Sequence, residues 1–337
     1  MSCAAAILGC RGPALDAEER AFFRDVDPWG FILFARNVET PDQVRRLTDA
    51  LRETVGRPDT PILIDQEGGR VARLTPPHWR LYPPGRAYGE LDPAIRREVT
   101  RLGARLLAHD LAAVGINVDC VPVLDVPDPQ GHEIIGDRAY GDTPEQVALL
   151  GRAACEGLIA GRVLPIVKHI PGHGRAKADS HLELPVVETS FEDLEARDFA
   201  PFRALSDMPM AMTAHVIYAD IDGALPATTS KIAFDRVIRG AIGFDGLVMS
   251  DDLSMKALSG DFAERARASL AAGCDVVLHC NGDMDEMVQV MAGTSRLSGR
   301  AAERARAALA RIPGAPEPLD AVEARARFDA AFGGAYA

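Results

Sequence analysis

Gly246-Leu247-Val248-Met249-Ser250-Asp251-Asp252 is an apolar run that closes on a serine and two carboxylates, and Cys274-Asp275-Val276-Val277-Leu278-His279 is a second such run. Between them, residues 263–272 carry the spacing of a helix, and Gly273 stands where a helix stops before a strand. The same β-then-α alternation extends through the chain. Candidate strands fall at 4–8, 30–34, 61–65, 116–123, 163–168, 209–213, 246–250 and 274–279. Helical periodicity is clearest at 41–55, 144–160, 191–205, 263–272 and 298–312, with a final helix near 319–332. Thr40-Pro41-Asp42-Gln43 and Thr143-Pro144-Glu145-Gln146 each place Thr at the N-cap, Pro at the first helical position and Gln at the third, the pattern of a capping box. Eight such units without a Pro/Ser/Gly-rich linker predict a single (β/α)8 TIM-type barrel, α/β in class, with residues 1–337 as one domain and C-terminal helices from about residue 296. An open doubly wound sheet would want a Gly-rich phosphate turn after an early strand. Gly68-Gly69 is followed instead by Arg70-Val71-Ala72-Arg73, which does not supply one.

With 47% hydrophobic and 26% charged residues, the chain has the make-up of an ordinary soluble globular protein. A net charge of −12 repels phosphate backbones and anionic lipid, which argues against nucleic acid or a membrane surface as partner. No run approaches the roughly 18 apolar residues that a membrane-spanning helix needs. Cys3, Cys10, Cys120, Cys155, Cys274 and Cys280 include no C-x-x-C pair, and several lie in apolar runs, so they read as buried free thiols of a reducing compartment. Ile7-Leu8-Gly9-Cys10 loosely resembles a lipoprotein cleavage box. The stretch before it has no Lys or Arg and is too short for a signal segment, so residues 4–8 are read as a strand and the protein as cytoplasmic.

The catalytic mouth of a barrel lies at the C-terminal ends of its strands. There Asp65 ends the third strand, Asp125 and Gly136-Asp137-Arg138 follow the fourth, and Lys168-His169 end the fifth. His215 follows the sixth, and Ser250-Asp251-Asp252 end the seventh. The densest segment runs from Lys168-His169-Ile170-Pro171-Gly172-His173 to Asp179-Ser180-His181. His169 and His173 are spaced like metal ligands, but Pro171 and Gly172 intervene and no H-E-x-x-H motif supports them. No metal and no cofactor is expected. Asp179-x-His181 reads as a dyad in which a carboxylate orients an imidazole that can donate a proton and later recover it near neutral pH. Asp251 and Asp252 are adjacent, so their side chains should point to opposite sides of an extended chain. One should face the pocket while the other caps the next helix or pairs with a basic neighbour, and periodicity does not choose between them.

Six blocks together resemble glycoside hydrolase family 3, and within it the single-domain bacterial β-N-acetylglucosaminidases of peptidoglycan recycling. They are Gly30-Phe31-Ile32-Leu33-Phe34-Ala35-Arg36-Asn37, Ile64-Asp65-Gln66-Glu67-Gly68-Gly69-Arg70-Val71-Ala72-Arg73-Leu74, Ile135-Gly136-Asp137-Arg138, the loop from Lys168 to His181 closing at Pro185, Met212-Thr213-Ala214-His215-Val216, and Met249-Ser250-Asp251-Asp252-Leu253-Ser254-Met255. The likeness runs in order from about residue 5 to about residue 285. It implies a retaining exo-β-N-acetylglucosaminidase with Asp251 as the nucleophile and a covalent glycosyl-enzyme. Larger family members draw an acid/base glutamate from a second domain. The subgroup that this chain resembles uses an Asp–His dyad, which implies His181 as general acid/base and Asp179 as the group that orients it.

The same resemblance implies Asp65, Arg73, Arg138, Lys168 and His169 as the sugar-binding set. Arg138, Lys168 and a carboxylate would also hold Asp251 ionised. The implied substrates are muropeptides, N-acetylglucosaminyl-1,6-anhydro-N-acetylmuramic acid with or without peptide. Ile170 departs from the aromatic that relatives commonly carry, which implies a packing change only. A family 3 β-glucosidase or an N-acetylglucosaminide phosphorylase is the enzymatic alternative, because a histidine acid/base would not repel phosphate. A non-catalytic sugar-binding barrel would be expected to lack Asp251 or the dyad, and the sequence has both. The oligomeric state is left open by the sequence.

Overall fold

The computed structural model describes residues 3–180 and 182–336. Eight parallel strands close into a barrel in chain order: β1 Ala4–Gly9, β2 Pro28–Leu33, β3 Ile62–Ile64, β4 Val118–Asp119, β5 Leu164–Ile170, β6 Met210–Thr213, β7 Leu247–Asp252 and β8 Val276–His279, with β8 paired back onto β1. Each falls on an expected segment. The strands read as continuous apolar runs because both faces are covered. Ile7, Ile32, Leu63, Val118, Ile166, Met212, Met249 and Leu278 belong to one buried cluster that draws on all eight strands, as only the barrel interior can. Ala6, Leu8, Phe31, Leu33, Ile62 and Ile64 belong to a second cluster shared with the surrounding helices.

The fourth strand is shorter than the 116–123 run suggests: only Val118 and Asp119 pair with both neighbours. Pro122 has no N–H to give to the ladder, and the wall beyond it is held by Leu124 N–H donating to the Lys168 carbonyl at 2.6 Å and a single bridge from Val123 to Lys168.

The helices Pro41–Val55 and Pro144–Ala160 have the expected bounds. Thr40 Oγ1 accepts from Gln43 N at 3.2 Å, and Thr143 Oγ1 from Gln146 N at 3.3 Å. The reciprocal half of the expected capping box is replaced by tertiary contacts. Gln43 Nε2 donates to the Pro13 carbonyl at 2.7 Å, and Gln146 Nε2 donates to the Gly89 carbonyl at 3.1 Å. Complete capping boxes are built by Asp16 with Glu19 and by Asp261 with Glu264. The helix expected over 191–205 is two, Phe191–Ala196 and Ala200–Ala204. Pro201 would lack the N–H for the carbonyl four residues back and its ring would strike that carbonyl.

Ala17–Val26, Arg96–Ala112 and Met284–Gly293 are further helices of the outer ring. Gly157 lets Pro144–Ala160 approach Arg96–Ala112 closely, since a Cβ there would collide with the Arg101 carbonyl. The C-terminal helix Gly299–Leu309 contributes Ala302, Ala305 and Ala308 to the interior cluster. Its Arg304 pairs with Asp245 and Asp275, which precede β7 and β8. That Ala- and Arg-rich helix therefore plugs the end of the barrel opposite the mouth. All six cysteines are free and buried. Among the described residues no helix is long and apolar enough to cross a membrane.

Candidate active site

A cavity of about 190 Å³ opens at the C-terminal ends of the strands, and Asp65, Arg73, Arg138, Lys168, His169 and Asp251 all line it. These residues come from the ends of β3, β5 and β7 and from the loops after β3 and β4. A larger hollow, lined by Arg52, Arg162 and Arg306, lies beside the plugged end, away from this chemistry.

Successive side chains of a regular strand point to opposite faces, so Lys168 and His169 could not both face inward from one. The pairing of β5 with β6 shifts between Lys168, opposite Met212, and Ile170, opposite Thr213. The extra residue on β5 turns both side chains into the cavity.

The floor of the site is an ion-pair cluster. Lys168 Nζ lies 2.9 Å from Asp65 Oδ1 and 2.7 Å from Glu67 Oε1. Arg138 grips Glu67 with both arms of its fork, Nε to Oε2 and Nη2 to Oε1 at 2.8 Å each. Arg73 reaches Asp65 Oδ2 at 3.4 Å and lies 5.0 Å over the ring of Phe34. Gln66 turns the intervening chain back, its Oε1 accepting from Arg73 N at 2.7 Å and Leu74 N at 2.9 Å.

Burial alone would raise the carboxyl pKa of Asp65 and Glu67. Lys168 with Arg73 outweighs it at Asp65, and Lys168 with Arg138 at Glu67, so both stay below the usual carboxylate range. Burial would likewise lower Lys168, but Asp65 and Glu67 hold it above the ordinary lysine value. Three cations thus face two carboxylates, with one positive charge in excess beside Asp251. Glu67 is the carboxylate that joins Arg138 to Lys168. Glu67 is absent from the binding set that the resemblance implies, although it stands two residues beyond Asp65 in the same block.

Asp125 follows β4 and is fully buried. Its Oδ2 lies 2.7 Å from His169 Nδ1, and its Oδ1 accepts from His169 N at 3.2 Å and His173 N at 2.6 Å. Burial opposes its charge, but His169 and His173 lower its pKa below the ordinary value. Because Nδ1 is held by Asp125, His169 has Nε2 left for the cavity. His173 is pushed down to about 4 by burial, so it is neutral at physiological pH. His215, which follows β6, has Nδ1 2.7 Å from Thr228 Oγ1 and Nε2 3.1 Å from the Asp252 carbonyl.

Asp251 and Asp252 both line the cavity, at the mouth where the strand ends. They are still not equivalent. Asp252 is committed to the turn that follows, accepting from Ser254 N and Cys280 N at 3.1 Å each and from Ser254 Oγ at 2.5 Å. Asp251 Oδ1 accepts from Asp252 N at 2.8 Å. The capping role that the sequence left unassigned thus falls to Asp252. Asp179 does not line the cavity; its carbonyl accepts from Leu182 N and Glu183 N. Its neighbour Ser180 does line it. His181 lies outside the described residues.

A sequence model of the glycosyl hydrolase family 3 N-terminal domain matches residues 10–312. A beta-hexosaminidase of Alkalilimnicola ehrlichii is 42% identical over 281 residues, covering 82% of this chain and 80% of that protein. One of Pseudomonas aeruginosa is 41% identical over 278 residues, covering 82% of each. Among solved structures, NagZ of Neisseria gonorrhoeae in complex with N-trifluoroacetyl-D-glucosamine is similar with a TM-score of 0.86 at 32% identity, covering 98% of both chains. A family 3 beta-N-acetylglucosaminidase of Paenibacillus gives 0.85 at 30% identity, covering 97% of this chain and 67% of that one.

Proposed function

The chain belongs to glycosyl hydrolase family 3, and on that footing we propose that it is a retaining exo-β-N-acetylglucosaminidase acting on muropeptides in the cytoplasm, with residues 1–337 working as one catalytic barrel domain. The observation that carries the reading is the convergence of Asp65, Arg73, Arg138, Lys168, His169 and Asp251 on one small cavity. At about 190 Å³ it is smaller than the roughly 300–1,000 Å³ of most ligand pockets, which suits one sugar ring with the rest of the substrate outside. That favours removal of a terminal residue over cleavage within a chain.

Asp251 attacks the anomeric carbon and the glycosidic bond to the leaving oxygen breaks. His181, oriented by Asp179, gives that oxygen a proton. The imidazole then takes a proton from water, which attacks the glycosyl-enzyme and releases the sugar with its configuration retained. Asp65 accepts hydrogen bonds from sugar hydroxyls, while Lys168 and the arginines donate and His169 offers Nε2. The excess positive charge of the floor keeps Asp251 ionised for attack.

The test is hydrolysis of 4-nitrophenyl N-acetyl-β-glucosaminide beside the matching β-glucoside, each with and without a chelator and with and without phosphate. Chelator-insensitive cleavage of the acetamido substrate alone, giving free sugar, is expected. Preference for the glucoside would overturn the specificity. Sugar 1-phosphate as the main product would make the enzyme a phosphorylase, and cleavage of neither substrate would leave a binding protein.

A further inference from the structure

The loop from β5 to Ser180 has two unequal halves. Its first half is bound to the chain that follows β4. His173 N donates to Asp125 Oδ1, Asp128 N to the Gly174 carbonyl at 3.0 Å, and His132 N to the Ala176 carbonyl at 2.7 Å. Gly174 makes this approach possible, because a Cβ there would run into the Val126 carbonyl. Arg175 adds ion pairs to Asp198 at 2.7 Å and Asp128 at 3.3 Å. The second half, residues 177–180, carries Asp179 and returns to the cavity. At its end Ser180 is 3% exposed, and its Oγ lies 3.2 Å from Nε2 of His173, itself 4% exposed. Buried hydroxyl and imidazole are thus partners, and deleting one strands the other without a hydrogen bond.

We propose that the His173–Ser180 contact is a clasp that sets where the dyad segment stands, so that His173 and Ser180 are positioning residues for proton transfer. The clasp joins the fixed half of the loop to the residue between Asp179 and His181 in the chain. Asp125 anchors its near side, and the same carboxylate holds His169. Among the described residues the clasp makes no hydrogen bond to the Asp65–Lys168–Glu67–Arg138 floor, and it meets the sugar-binding set at His169, whose ring lies 5.9 Å from that of His173. Its loss therefore falls chiefly on protonation of the leaving group. This inference rests on the reading of His181 as the acid/base.

Ser180→Ala, Ser180→Thr and His173→Ala are compared with wild type on 4-nitrophenyl N-acetyl-β-glucosaminide and on an alkyl N-acetyl-β-glucosaminide, whose leaving group needs protonation. The alanine variants should lose on the order of 10- to 100-fold in kcat on the alkyl glycoside. They should lose far less on the nitrophenyl glycoside, with KM little changed on either. Ser180→Thr keeps the hydroxyl and should stay near wild type, and the double alanine variant should be no worse than either single one. Equal losses on both substrates, an effect confined to KM, or Ser180→Thr as impaired as Ser180→Ala would overturn the clasp. His181→Ala separates the two claims. If it shows the leaving-group dependence and Ser180→Ala does not, the clasp alone fails. If His181→Ala shows none, the acid/base reading falls and the clasp's role with it.

Discussion

Glu67→Gln removes one charge from the floor of the site and almost no volume. The Glu67 side chain is 6% exposed and receives Lys168 Nζ at 2.7 Å and the Arg138 fork at 2.8 Å twice. Removing one member of a buried ion pair costs about 3–5 kcal/mol, because the remaining charges stay buried and uncompensated. An unfolding entropy of about 2.1 cal/mol/K per residue gives roughly 0.7 kcal/mol/K for 337 residues, so the melting temperature should fall by about 4–7 °C. Lys168 and Arg138 would turn toward Asp65 and Asp251, and a misplacement of about 1 Å among the groups proposed to hold the sugar costs about 10²-fold in kcat/KM. Calorimetry and nitrophenyl glycoside kinetics at neutral pH measure both losses. The Glu67 carboxyl is held below its ordinary 4.5 by Lys168 and Arg138 against burial, so its contribution is complete above about pH 4.5 and fades as pH falls below that. The melting gap between wild type and Glu67→Gln should therefore narrow in acid. A gap under about 1 °C at neutral pH, or one that widens in acid, would refute the reasoning.

Asp251→Ala should abolish turnover of every substrate, and a slow substrate should leave a glycosyl adduct on wild type at Asp251, located by peptide mass; an adduct at Asp252 would move the nucleophile. His181→Ala should cost on the order of 10²–10⁴ with poor leaving groups and much less with activated aryl glycosides, as measured by kcat across a leaving-group series. His173 is pushed to about 4 by burial from an ordinary 6.5, so the unfolded chain takes up its proton first as pH falls. Wild type should therefore lose more stability between pH 6.5 and about 4 than His173→Gln does, followed by denaturant unfolding at each pH.

The barrel was legible because parallel strands buried on both faces leave eight separate apolar runs, each ending where polar residues begin. The polar ends also brought Asp65, Arg73, Arg138, Lys168, His169 and Asp251 to one cavity, since a barrel aims them all at one mouth. What escaped were features decided by contacts rather than by period. Lys168 and His169 share the cavity only because one residue bulges out of register with β6, which alternation along β5 does not encode. Glu67 joined the site through a turn fixed by Gln66, two residues past the strand. Asp252 became the turn cap through Ser254 and Cys280, the latter on a different strand's continuation. The break in the helix expected over 191–205 does have a sign in the sequence, Pro201, which helical periodicity alone does not register.

The ion pair from Asp65 to Lys168 runs from the end of β3 to β5 and so bridges β4, the two-residue strand between them. A contact proposed to serve a sugar is thereby also a strut over the thinnest part of the wall. Retuning the enzyme for another sugar at either position would loosen the vessel together with its grip, so a variant dead in an assay there could be merely ajar. Arg73 stands at the rim, tied to Asp65 at 3.4 Å and resting on Phe34, and holds up no wall. A designer seeking a new sugar preference has room to move at Arg73 and Phe34 before disturbing the strut.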